Sequence, residues 1–149
     1  MKAKYAVLAG LATIVLVVAG CATPGPTISE VSDGIADFDG AEVTTAGTVG
    51  RGVPVAGTDL YIYQFSDGNQ TVAVVSQDRP DHGTDRTVTA RVVPFAGDPD
   101  DGVQEEIESY LVESGVAETA LEAATGQTFN LVRTFTLANN AQFFLLEES

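Results

Sequence analysis

The chain has one cysteine and one histidine in 149 residues. A lone Cys21 excludes an intramolecular disulfide, so packing must hold the fold. A lone His82 with no second His or Cys excludes a well-defined transition-metal site of nitrogen and sulfur ligands. Basic residues are almost as scarce. The only lysines are Lys2 and Lys4, and beyond them Arg51, Arg79, Arg86, Arg91 and Arg133 stand against 21 acidic residues. Without a basic stripe to displace counterions from phosphates, nucleic acid is a disfavoured partner, and so is a polybasic contact with anionic lipid. Catalytic signatures are missing as well. No Gly-x-Ser-x-Gly elbow, His-Glu-x-x-His pair or phosphate loop occurs, and no motif calls for a cofactor.

Long apolar runs are limited to one. Residues 5–20 carry no charge, follow Lys2 and Lys4, and lead into Val18-Ala19-Gly20-Cys21. As a helix they would reach about 24 Å at ~1.5 Å per residue, short of a ~30 Å hydrocarbon core. Ala22-Thr23-Pro24-Gly25-Pro26 follows instead of a basic flank. A basic start, an apolar centre and a small-residue box make up an export signal. The box resembles that of bacterial lipoproteins, in which the Cys is lipidated and becomes the mature N-terminus. The resemblance implies removal of residues 1–20 as a lipoprotein signal peptide and several acyl chains on Cys21, since one holds a protein only marginally. It also implies a membrane anchor on the periplasmic or extracellular side. No twin arginine is present, so the general secretory route is expected. A plain cleaved signal or an uncleaved anchor are the alternatives. Residues 21–27, with two prolines, then read as a lipidated N-terminus and flexible tether, and residues 28–149 as a single domain.

Five arginines against 21 acidic residues leave sixteen negative charges in excess after the signal. A lysine-free, carboxylate-rich surface resembles proteins of hypersaline habitats, where hydrated carboxylates maintain solubility and salt screens self-repulsion. An ordinary acidic envelope protein is the competing reading.

Ile28, Val31, Ile35 and Phe38 recur at three- and four-residue steps, which predicts a short amphipathic helix over residues 27–37, broken by Asp39-Gly40. The pattern then turns strand-like over residues 42–51, 60–66, 71–76 and 86–95, with Asp67-Gly68-Asn69 as a hairpin turn. The succession Asp-Gly-Ala-Glu-Val-Thr-Thr-Ala-Gly-Thr-Val (residues 39–49), Tyr-Ile-Tyr-Gln-Phe-Ser-Asp-Gly (61–68), Thr-Val-Ala-Val-Val (71–75) and Gly-Thr-Asp-Arg-Thr-Val-Thr-Ala-Arg-Val (83–92) resembles OB-fold barrels. It departs from them in carrying Ala90 where a glycine often stands. The implied class is mainly β with a helical insert: an OB-like five- to six-stranded antiparallel barrel, with two short helices between strand four and a C-terminal hairpin.

Val103, Ile107, Tyr110 and Leu111 fall at i, i+4, i+7 and i+8, predicting an amphipathic helix that Asp100 or Asp101 can cap and Gly115 can end. A second helix is expected over residues 117–125, ending at Gly126. Phe129, Leu131, Phe135 and Leu137 then alternate with Asn130, Val132, Thr134 and Thr136, which predicts a strand, and Asn139-Asn140 would turn it into residues 142–147. Either half of that hairpin could close the barrel.

Alternation places Tyr61, Tyr63 and Phe65 on one face of the second strand. OB barrels stack oligonucleotides or oligosaccharides on the outward face of strands two and three, so these rings are candidate ligand-binding residues, with Arg51 and Arg91 to orient an anionic group. In the competing reading the rings point inward and the helices cover Leu60 and Ile62. Asp78, Asp81, His82 and Asp85 crowd one polar loop as candidates for a metal or a titrating group, against ordinary solvated loop residues. Asp98-Pro99-Asp100-Asp101-Gly102 lacks calcium-loop spacing, with Ser109 where a bidentate Glu is needed, and reads as a helix cap. Two functions follow. One is a membrane-tethered binding or accessory module of the cell envelope, holding a peptide, glycan or partner protein. The other is an envelope hydrolase or metal-dependent enzyme centred on His82. The missing catalytic patterns favour the first.

At ~0.01 M salt the Debye length is ~30 Å, so repulsion acts across the whole domain. The urea midpoint should therefore rise between ~0.01 M and ~1 M salt. A midpoint independent of salt contradicts the halophilic reading.

Overall fold

The computed structural model describes residues 25–95 and 101–148. The signal, Cys21 and residues 98–100 of the acidic run lie outside the described residues. Two short helices, α1 (Ile28–Asp33) and α2 (Ile35–Phe38), precede strands β1 (Glu42–Pro54), β2 (Tyr61–Ser66), β3 (Thr71–Ser76) and β4 (Asp85–Pro94). Helices α3 (Asp101–Glu113) and α4 (Glu118–Ala138) follow, and β5 (Phe143–Glu147) ends the chain. Among the described residues no helix is long and apolar enough to cross a membrane.

The strands close a barrel in the order β1-β2-β3-β5-β4. β1 serves two neighbours: Glu42 to Thr48 pair with β4, and Thr48 to Pro54 pair with β2. The register shifts between Val49 and Gly52, a bulge that bends the strand from one partner to the other. Four of the five seams are antiparallel, but β3 and β5 run parallel, pairing Val74 with Leu145 and Val75 with Leu146. The expectation of an antiparallel barrel is corrected on this point, for a simple reason. Five strands of alternating direction cannot close a ring without one pair pointing the same way.

The sheet separates two cores. Inside the barrel lie Val43, Val49, Tyr63, Phe65, Val72, Val74, Val88, Ala90, Val92, Phe143 and Leu145, together with Ile28 and Val31 of α1. Outside, Ile62, Ala73, Val75, Phe144 and Leu146 pack beneath α3 and α4, whose contributions include Ile107, Leu111, Phe129 and Val132. β2, β3 and β5 are thus apolar on both faces and covered on both. β1 alternates between buried and exposed along its first half, and its outer side faces water.

The α3 face follows the spacing of Val103, Ile107, Tyr110 and Leu111, all buried. Gly115 follows the helix with φ +87°, and the Val116 amide donates to the Leu111 carbonyl at 3.0 Å, closing the helix end. The expected second short helix and C-terminal hairpin are not observed. Residues 118–138 form one helix of 21 residues that runs through Gly126 and through the segment read as a strand. β-branched residues at Thr128, Val132, Thr134 and Thr136 gave that segment a strand-like look. Burial exposes the error: Thr136 is 1% exposed and Leu137 53%, the reverse of the alternation. Buried Ala124, Thr128, Val132 and Thr136 recur every four residues, as one face of a helix does.

A methyl group at Gly126 would meet nothing within 4 Å, so this residue weakens α4 without a packing role. Gly126→Ala should raise the unfolding free energy by about 0.5–1 kcal/mol in urea titration. A destabilised variant would mean that the helix does not continue through this position.

Candidate functional site

The aromatic strand does not form an open binding face. Tyr63 and Phe65 are fully buried inside the barrel, their rings 6.1 Å apart edge to face. Inward burial is the physical reason that this candidate surface fails: the opposite face of β2, with Ile62, is already under the helices. Tyr61 is half-buried, its ring so close to Gly52 that a Cβ there would fall 2.4 Å from it, and the Arg79 guanidinium lies 5.4 Å from the ring centroid. The two candidate arginines do not converge. Arg91 lies on β4 opposite Glu42 of β1 and pairs with Glu106 of α3 at 3.3 Å. Arg51, exposed, is nine residues further along β1, up to ~30 Å at ~3.3 Å per residue.

The loop around His82 is equally dispersed. His82 is exposed, Asp78 accepts from Arg86 at 2.9 Å, and Asp85 accepts the Thr48 hydroxyl at 3.0 Å. Asp81 is exposed and caps the loop with its carbonyl, which accepts the Thr84 hydroxyl at 2.6 Å. Among the described residues no three His, Cys, Asp or Glu side chains are grouped to hold a metal ion.

A buried polar chain that sequence reading missed occupies the barrel wall instead. The Tyr63 hydroxyl donates to Glu147 Oε1 at 2.8 Å, and Arg86 donates to Glu147 Oε2 and to Asp78. Burial, then the Glu147 carboxylate, push the Tyr63 hydroxyl far above its ordinary range, so it keeps the proton that it donates to Glu147. For Arg86, burial works against the charge, but hydrogen bonds to Asp78 and Glu147 overcome it and hold the pKa above its usual value. The Tyr110 hydroxyl of α3 lies 2.7 Å from the Glu147 carbonyl and 3.1 Å from that of Val75, bridging the strands of the parallel seam. Burial first, and Glu147 second, raise its pKa as well. Two sequence signals could have found this chain. Arg86 shares the inward phase of Val88, Ala90 and Val92, and Glu147 continues four apolar residues. This polar chain ties β2, β4 and β5 together from within the barrel wall.

Among the described residues, the outer side of β1 and β4 is the wall of the barrel that does not pack beneath α3 and α4; α3 reaches it at the Arg91–Glu106 pair. Thr44, Ala46 and Thr48 stand opposite Thr89, Thr87 and Asp85, and the Thr44 and Thr89 hydroxyls share a hydrogen bond of 2.9 Å. A cleft of about 620 Å³ opens here, bordered by Thr27, Thr48, Ser66, Asp67, Arg86 and Thr87. Its carboxylates are already engaged. Asp67 Oδ2 accepts from the Ser29 amide at 2.9 Å and the Ser29 hydroxyl at 2.7 Å, while Oδ1 accepts from the amides of Asn69 and Gln70, both at 2.9 Å. Slight burial opposes ionisation of Asp67, but bonds from Ser29, Gln70 and Asn69 outweigh it and lower its pKa from 3.8 to about 2. What the cleft offers a ligand is hydroxyl and backbone hydrogen bonding beside three charged groups, Asp67, Asp85 and Arg86, that are already engaged within the chain.

A pKa depressed on folding gives stability that is complete above the unfolded value and lost as pH falls through the folded one. Wild type should therefore exceed Asp67→Asn in urea midpoint above pH 4, and the gap should close as pH falls towards about 2. Parallel pH profiles for the two proteins would contradict the role given to Asp67. No family model, curated protein or solved structure matches this chain.

Proposed function

We propose that this chain is an exported lipoprotein, tethered to a membrane through Cys21 on the periplasmic or extracellular side, whose domain is a non-catalytic binding or accessory module of the cell envelope. The closed five-stranded barrel, with its non-sequential β1–β4 and β3–β5 neighbours, supports an OB-like assignment. The helices depart from that pattern, since they follow β4 and cover the outer face of β2 and β3, the face on which such barrels stack their ligands. Ligand contact is thereby moved to the opposite wall.

The observation that carries the reading is the cleft on the β1–β4 wall, lined by hydroxyl groups and by Asp67, Asp85 and Arg86, whose charges are engaged within the chain, beside Thr27, six residues from the lipidation site. Its chemistry suits a neutral hydrogen-bonding ligand, a glycan or a stretch of peptide. Around His82 no three metal-ligating side chains are grouped among the described residues, so the hydrolase reading gains no support there.

Ala46 is exposed on the cleft rim, so Ala46→Trp should fill the cleft without disturbing either core. Cross-linked wild-type protein recovered from native membranes at high salt should retain species that Ala46→Trp loses and Val112→Trp, on the helical side, keeps. Identical recovery with all three overturns the cleft as a binding site. Mass spectrometry of the same native material should show an acylated chain starting at Cys21. An unmodified thiol on a chain that begins at Met1 overturns the tether.

A further inference from the structure

We infer that the β1–β4 wall is the face this domain turns towards the lipid surface, an orientation set by where the chain enters the fold and by how charge is distributed over it. The inference rests on the lipoprotein reading.

The folded body begins earlier than the prolines suggest. Residues 25–27 were expected to be part of a free tether, yet Thr27 caps α1, its side chain accepting from the Glu30 amide at 3.0 Å while Glu30 accepts from the Thr27 amide at 2.8 Å. Gly25 lies directly on β1. A Cβ at Gly25 would fall 2.1 Å from the Thr44 carbonyl oxygen, so Gly25 sits against the β1 backbone. From Gly25 to Cys21 is four residues, at most about 14 Å at ~3.6 Å each. A globular body of this length has a radius of gyration near ~14 Å and a diameter of about 35 Å. The leash is less than half the width of what it holds. The wall beside Gly25 therefore stays near the headgroups, and the far side cannot reach them without the body rolling over its own attachment point.

Charge selects the same wall. In a chain with an acidic excess, the centre of this face is the uncharged set Thr44, Ala46, Thr48, Thr87 and Thr89, with Glu42 opposite Arg91 at one end and Asp85 bonded to the Thr48 hydroxyl at the other. α3 meets the Glu42 end of the wall through the Glu106–Arg91 pair and exposes Glu105, Glu108 and Glu113 beyond it. An anionic leaflet repels that helix and is indifferent to the threonine wall, whose hydroxyls can bond to phosphate and glycerol oxygens. The cleft opens on the wall held against the headgroups, at the level where membrane-borne ligands are found.

The test uses the native lipidated protein, reconstituted into vesicles of phosphatidylcholine and phosphatidylglycerol. Cys21 is the chain's only cysteine and is consumed by the lipid, so a single added thiol can be labelled cleanly. A fluorophore at Thr87→Cys, or at Ala46→Cys if the first variant folds poorly, should be quenched by headgroup spin-labelled lipid several-fold more strongly than one at Glu108→Cys. Ten Gly/Ser residues inserted after Thr23 should abolish the difference. Equal quenching at the two sites without the insert, with the protein still sedimenting with the vesicles, overturns the orientation and leaves the lipoprotein reading intact. Failure to sediment, with an unmodified Cys21 in the mass spectrum, overturns both.

Discussion

Three of the five strands are apolar on both faces, and that requirement for two-sided cover organises everything else. β2, β3 and β5 put Tyr63, Phe65, Val72, Val74, Phe143 and Leu145 on one side and Ile62, Ala73, Val75, Phe144 and Leu146 on the other. Closing the sheet into a barrel buries the first set. The second needs a separate layer, which α3 and α4 supply. At ~1.5–3 kcal/mol for each large apolar side chain removed from water, neither layer is optional in a domain without disulfides. The same requirement leaves the outer side of β1 and β4 as the stretch of sheet that α3 and α4 do not cover among the described residues.

Among the described residues, the buried carboxylate in this apolar scheme is Glu147. A carboxylate that is 7% exposed stays in place because Tyr63 and Arg86 occupy its oxygens. Removing one partner from such a set costs far more than the set contributes when intact, since the remaining group is left buried and unsatisfied. The chain thus acts as a register pin. It joins β2, β4 and β5 at defined positions, and Tyr110 joins α3 to the two carbonyls flanking the parallel seam.

The strands were legible because their patterns differ in kind. β1 and β4 alternate, β3 and β5 are short continuous apolar runs, and Asp67-Gly68-Asn69 marks the turn between β2 and β3. Helix α3 was legible from four apolar residues at helical spacing. Helix α4 was not, because Phe129, Leu131, Phe135 and Leu137 satisfy a two-residue period, and the discriminating fact, a buried Thr136 beside an exposed Leu137, is a tertiary one. The aromatic site failed for a related reason. Periodicity places Tyr61, Tyr63 and Phe65 on one face but cannot say whether that face is the inside of a barrel. The cleft was illegible, since it forms where the β2–β3 turn, the start of β4 and Thr27 meet around β1. No local signal encodes that meeting.

Asp67 fastens α1 to the β2–β3 turn through two hydrogen bonds from Ser29, while two more, from Asn69 and Gln70, hold it within the turn. The mechanical meaning of this clamp concerns force. Any tension along the chain ahead of Gly25 enters the domain at β1 and α1, and Ser29–Asp67 is the first lateral joint through which it spreads into the sheet. Ile28 and Val31, seated in the barrel, resist extraction behind it. A load applied at the N-terminus is thus shared between a polar latch and an apolar plug before any strand seam is strained.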